Sequence, residues 1–94
     1  MKVEGFIWYR SIIDKLLWKH SVTHEEVEEL FNNGPKFKLL EKGKVKDENL
    51  YSARGQTNAG RYLAALFIYK KTKEALIVTA RDMDSKERKS YDKK

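Results

Sequence analysis

The stretch Arg61-Tyr62-Leu63-Ala64-Ala65-Leu66-Phe67-Ile68-Tyr69-Lys70-Lys71-Thr72-Lys73-Glu74-Ala75-Leu76-Ile77-Val78-Thr79-Ala80-Arg81 decides the fold. Read at the two-residue period of a strand, Arg61 to Tyr69 is apolar on both faces, which predicts a central strand covered on both sides. Lys71-Thr72-Lys73 reverses the chain, and Glu74 to Arg81 returns beside it. Working upstream, Thr57-Asn58-Ala59-Gly60 has hairpin-turn chemistry, so the segment before it is the neighbouring strand, with Tyr51, Ala53 and Gly55 alternating with Ser52, Arg54 and Gln56. Lys36 to Leu40 alternates again, and the charged stretch Glu41 to Glu48 around Gly43 reads as an exposed loop. Four strands therefore follow one another as a meander.

The N-terminal third supplies the helices. Val3 to Trp8 reads as a short strand, and Ile12, Ile13, Leu16 and Leu17 recur at helical spacing up to about His20. Thr23 then starts a second helix as N-cap, with Glu26 reaching back in a capping box and Val22 packing on Val27 as a hydrophobic staple. Val27, Leu30 and Phe31 are its buried face, and Asn33-Gly34-Pro35 stops it. After the last strand, Asp84 opens a charged helix with Glu87 at its third position. The order is strand, two helices, four strands, helix: an α+β fold with an antiparallel sheet, as one domain over residues 1–94.

Composition narrows the function classes. The chain carries a formal charge of +6 with 40% hydrophobic residues. Four of its acids, Glu25, Glu26, Glu28 and Glu29, lie in the second helix, so the remaining surface is more basic than the net figure and favours polyanions. No cysteine is present, which removes disulfides and thiolate metal sites and fits a reducing cytoplasmic setting. The N-terminus lacks a signal-peptide layout, and the longest apolar run, Tyr62 to Tyr69, is too short for a bilayer, so no membrane association is expected. His20 and His24 have the spacing of a helical metal pair, but the helix breaks between them and no third ligand is near, so neither metal nor cofactor is expected.

The chemistry gathers at the C-terminus. Arg81 sits where the last strand emerges, and Arg88 and Tyr91, three apart, share a face of the final helix. Arg81 has two readings, a phosphate clamp or an ion pair with Asp82, Asp84 or Glu87. Tyr91 either touches substrate or packs under its helix. Arg54 lies on a polar strand face with Ser52 and Gln56, and whether it meets Arg81 depends on register. His20, at the end of the first helix beside Lys19, belongs to the side-chain type that titrates near neutrality, and it reads either as a proton-transfer group or as a helix cap. Glu87 reads as a cap rather than a base.

This segment resembles the end of BrnT-type toxins of bacterial type II toxin–antitoxin pairs, in which a strand runs into Ser-Ala-Arg and a short helix carries Glu-Arg and a Tyr. Thr79 stands for the serine, and Ala80, Arg81, Glu87, Arg88 and Tyr91 match. Upstream, Trp8, Lys19-His20-Ser21-Val22, Glu25-Glu26, Phe31 and Gly55 fall where the family has its Trp, Lys-His-Gly-Val, helix and glycine, with Tyr9-Arg10 replacing Asp-Pro and Ser21 replacing glycine. The resemblance implies a RelE-like fold, metal-independent cleavage of messenger RNA, and a partner antitoxin, a small ribbon-helix-helix DNA-binding protein; a homodimer is left open. On that reading Arg81, His20, Tyr91 and Lys19 are the catalytic set, and Arg54, Arg88, Lys36 and Lys38 bind RNA. The rival expectation is a non-catalytic RNA- or protein-binding module of the same fold.

Overall fold

Local capping signals set the helix limits. The computed structural model describes residues 1–45 and 48–93; Lys46 and Asp47, within the charged loop, and Lys94 lie outside them. The second helix, α2 (His24–Asn32), begins at Thr23, whose side chain accepts the Glu26 N–H at 3.1 Å, while the Glu26 carboxylate accepts the Thr23 N–H at 3.0 Å. Val22 and Val27 are both fully buried beside this box. The preceding helix, α1 (Arg10–His20), ends on Ser21 with φ at 53°, and the Ser21 and Val22 N–H groups turn back to Leu17 and Leu16 carbonyls. The left-handed turn of a glycine is thus kept by a serine, at a steric cost that glycine would avoid. The C-terminal helix, α3 (Ser85–Asp92), has its own capping box between Asp84 and Glu87.

The strands are β1 (Gly5–Ile7), β2 (Lys36–Glu41), β3 (Leu50–Gln56), β4 (Tyr62–Tyr69) and β5 (Glu74–Asp82), in the sheet order β1-β5-β4-β3-β2. The architecture is α+β in the expected element order, and β4 is central. A hairpin turn closed by the Gly60 N–H on the Thr57 carbonyl at 2.9 Å, with Gly60 at φ 87°, joins β3 to β4. The sheet is antiparallel except at one edge. There β1, shorter than the Val3 to Trp8 expected, pairs parallel to β5. Backbone pairing ends at Ile7, and the next residue, Trp8, donates its indole N–H to Glu28 of α2 at 2.9 Å.

Both N-terminal helices cover one face. Leu16 of α1 and Val27 and Leu30 of α2 are buried with Ala53, Leu63, Ala65, Phe67, Ala75, Ile77 and Ala80 of the sheet. Phe67 is the hub, with ring centroids of Phe31 at 5.2 Å, Phe37 at 5.8 Å and Tyr51 at 5.8 Å. One irregularity matters for function. Leu66 pairs with Thr79 but Phe67 with Ile77, so Val78 is an extra residue bulged out of β5. Simple alternation would place Ile77, Thr79 and Arg81 on one face. The bulge instead leaves Ile77 in the core while Thr79 and Arg81 point to the other side.

Candidate anion-binding cleft

The face away from α1 and α2 carries the basic residues, and register aligns them. Lys36 pairs with Arg54, Arg54 with Ala64, and Ala64 with Arg81, a single cross-strand row over four strands. The next row is Lys38, Ser52, Leu66 and Thr79. Arg54 and Arg81 thus flank Ala64, whose small side chain leaves a cavity of about 240 Å³ between them, with Ser52 and Thr79 among its lining residues.

Helix α3 lies over this cleft and puts Glu87 into it. The Arg81 guanidinium donates to both carboxylate oxygens, at 2.6 and 3.0 Å, and Arg54 Nη2 is 3.8 Å from the second. One oxygen also accepts the Asp84 N–H at 3.0 Å. Hydrogen bonding from Arg81, helped by the Asp84 N–H and by the Arg81 and Arg54 charges, outweighs burial and holds the Glu87 carboxyl below the usual carboxylate range. The Arg81 guanidinium is raised by the same pair. Two donors of the cleft nevertheless stay unmatched: Ser52 Oγ and Arg54 Nε are buried without a hydrogen-bond partner among the described residues.

The pair makes a pH prediction. Because the folded pKa of Glu87 is depressed, its contribution to stability is present above the unfolded carboxylate value of ~4.3 and is lost as pH falls through the lower folded value. Melting temperatures of the parent and Glu87→Gln are therefore expected to differ at pH 7, and the gap to narrow as pH falls below the unfolded carboxylate value. Asp82, also depressed by its bond from Arg61, titrates in both proteins and cancels in the comparison. A gap that widens on acidification would contradict the pairing.

The remaining candidates distribute unequally. Tyr91 packs its ring against Tyr62, centroids 5.9 Å apart, with Lys36 Nζ 4.9 Å from the Tyr91 centroid and bonded to the Tyr91 carbonyl. Arg88 is exposed and lies over the other ring of this pair, 4.1 Å from the Tyr62 centroid. Lys38 lines a shallow depression beside Arg54 and Glu87. His20 and Lys19 are not brought to the cleft. They end α1 on the other layer, where the His20 carbonyl accepts from Arg61 at 3.1 Å. Arg61 also binds Ser21 O, Glu26 and Asp82, and so ties the end of α1 to the sheet. Strand alternation explains the separation, since Asp82 faces that cluster and Arg81 turns away from it.

Sequence reading placed Ser52 on the strand face of Arg54 and Thr79 on that of Arg81 without naming either as a site residue, and it passed over Arg61 as a helix tie. Arg61 gives no local signal, because its partners are 21 to 41 residues away. Among the described residues no three His, Cys, Asp or Glu side chains gather as metal ligands, and no helix is long and apolar enough to cross a membrane. No protein-family model matches the sequence, and a search of curated proteins finds no match to it.

Proposed function

We propose that this chain is a BrnT-type toxin of RelE-like fold, a metal-independent endoribonuclease that cleaves messenger RNA in the cytoplasm and is held in check by a small ribbon-helix-helix antitoxin. The observation that carries the reading is the cross-strand row Lys36, Arg54, Ala64 and Arg81, a line of cations on one sheet face with a cavity between the two arginines. Such a row can follow a phosphodiester backbone, and guanidinium groups bind its non-bridging oxygens in pairs.

In the proposed reaction the ribose 2′-oxygen attacks the adjacent phosphorus, the bond from phosphorus to the 5′-oxygen breaks, and a 2′,3′-cyclic phosphate and a 5′-hydroxyl result. The proton of the 2′-hydroxyl leaves to a base, and the departing 5′-oxygen takes one up. Arg54 and Arg81 stabilise the charge that builds on the phosphoryl oxygens. Of the proton-transfer candidates, Tyr91 is the one on the same side of the sheet as the arginines, beside Lys36. Positioning and electrostatics therefore carry most of the catalysis.

A non-catalytic binding module is the second reading, favoured by the distance of His20 from the cleft and by the engagement of Arg81 with Glu87. One assay separates them. Purified protein with single-stranded RNA and excess chelator is expected to yield cyclic-phosphate or 3′-phosphate ends, and co-expression of a neighbouring ribbon-helix-helix gene to relieve growth arrest. Binding without cleavage selects the module, and cleavage restored only by added magnesium overturns the metal-independent mechanism.

A further inference from the structure

Glu87 is in an unusual position for a helix-capping residue. It caps α3 through the Asp84 N–H, yet its side chain is only 15% exposed and both its oxygens are taken by a guanidinium. Among the described residues it is the sole carboxylate lining the cavity, whose other polar groups include Arg54, Arg81, Ser52 and Thr79. A carboxylate and a phosphodiester offer the same feature to arginine, two oxygens at bidentate spacing, so they are alternative occupants of one place. Glu87 also fills it incompletely. Ser52 is 3% exposed, and among the described residues neither its hydroxyl nor Arg54 Nε has a hydrogen-bond partner. A tetrahedral oxyanion, with oxygens directed to more than one side, can reach donors that a planar carboxylate leaves idle.

The element that carries Glu87 is lightly anchored. α3 is eight residues long and buries none of them. Its other ties among the described residues are rim contacts: Arg88 and Tyr91 on the Tyr62 ring, the Tyr62 hydroxyl donating to Asp92 at 3.4 Å, and Lys36 on the Tyr91 carbonyl. Segments with little buried apolar surface open at low free energy without unfolding the rest. Its sequence further carries Lys86, Arg88 and Lys89, so a lifted α3 remains a cationic arm able to follow a polyanion.

We infer that α3 is an autoinhibitory latch: Glu87 is a built-in substitute for a phosphate group in the Arg54–Arg81 cleft, and phosphate binding and the docked position of α3 are mutually exclusive, so Tyr91, carried by the same helix, reaches a bound substrate only from the lifted arm. The inference rests on the reading of this cleft as the phosphate site of an RNA-binding protein and adds its regulation. Any ligand that supplies a phosphate lifts α3, and any contact that fastens α3 closes the site.

The test uses two probes, inorganic phosphate and an uncleavable single-stranded oligonucleotide with 2′-O-methyl groups throughout. In the parent protein, saturating phosphate is expected to accelerate hydrogen exchange of α3 amides while those of β4 stay protected. Glu87→Gln keeps a capping side chain and removes the charge, and both probes are expected to bind it about tenfold tighter. Glu25→Gln, on α2, measures the generic effect of losing one negative charge, and Glu87→Asp, with a retracted carboxylate, should shift affinity the same way by less. Tightening of phosphate but not of the oligonucleotide supports the latch and overturns the RNA reading. An oligonucleotide that binds the parent, Glu25→Gln and Glu87→Gln alike, with α3 exchange unchanged at saturation, supports the RNA reading and overturns the latch.

Discussion

Replacing Arg81 with Lys is expected to lower the RNA cleavage rate by roughly a hundredfold, the scale of losing one preorganised donor to a developing anion, while RNA affinity falls only modestly. Lysine keeps the charge but loses the planar fork, so it cannot hold two phosphoryl oxygens at once. The loss should therefore appear in the rate of the chemical step more than in binding. Arg81→Ala should be at least as severe, and Lys71→Ala, on the exposed turn between β4 and β5, should change little. The geometry also supplies the competing explanation, since Arg81 is bonded to Glu87 at 2.6 Å. A purely structural pair predicts a fall in melting temperature with no loss of rate in the folded fraction. Cleavage rate, affinity and melting temperature measured side by side decide it: parental rates in both folded Arg81 variants would remove Arg81 from the site.

The largest effect on stability is expected at Phe67. It is fully buried on the central strand and touches rings from α2, β2 and β3, so no neighbour can relax far into the space it leaves. Truncation to Ala is expected to cost about 3–5 kcal/mol, a large share of the ~5–15 kcal/mol that holds a domain folded. Chemical denaturation should show the midpoint falling with little change in slope, and each kcal/mol should lower the melting temperature by roughly 4–8 °C. Val78→Ala is the comparison, because the bulge turns that side chain outward to 37% exposure. Equal costs at the two positions would mean that the core is not organised around Phe67.

What was legible in the sequence is what neighbours within about four residues decide. Thr23 and Asp84 start their helices because a side-chain oxygen and a carboxylate three residues on satisfy the free N–H groups there. Gly60 turns the hairpin because its left-handed backbone suits glycine. The central place of β4 followed from apolar residues on both its faces, and the element order from these signals taken together.

The cleft was decided elsewhere. Arg54 and Arg81 stand 27 positions apart and meet only because each pairs with Ala64, and pairing register depends on contacts along two whole strands rather than on local preference. Val78 is apolar and β-branched like its neighbours, so nothing in its identity announces the bulge that parts Ile77 from Arg81. The parallel seat of β1 depends equally on a partner far along the chain. His20 and Arg81 both looked available for one site, and alternation at the end of β5 sends them to opposite layers. Sequence by itself determined the parts and the basic character of the chain outside the acidic second helix. Tertiary structure alone decided that Glu87 lies between its two arginines, because that contact needs a helix cap, a strand register and a bulge to agree at one point.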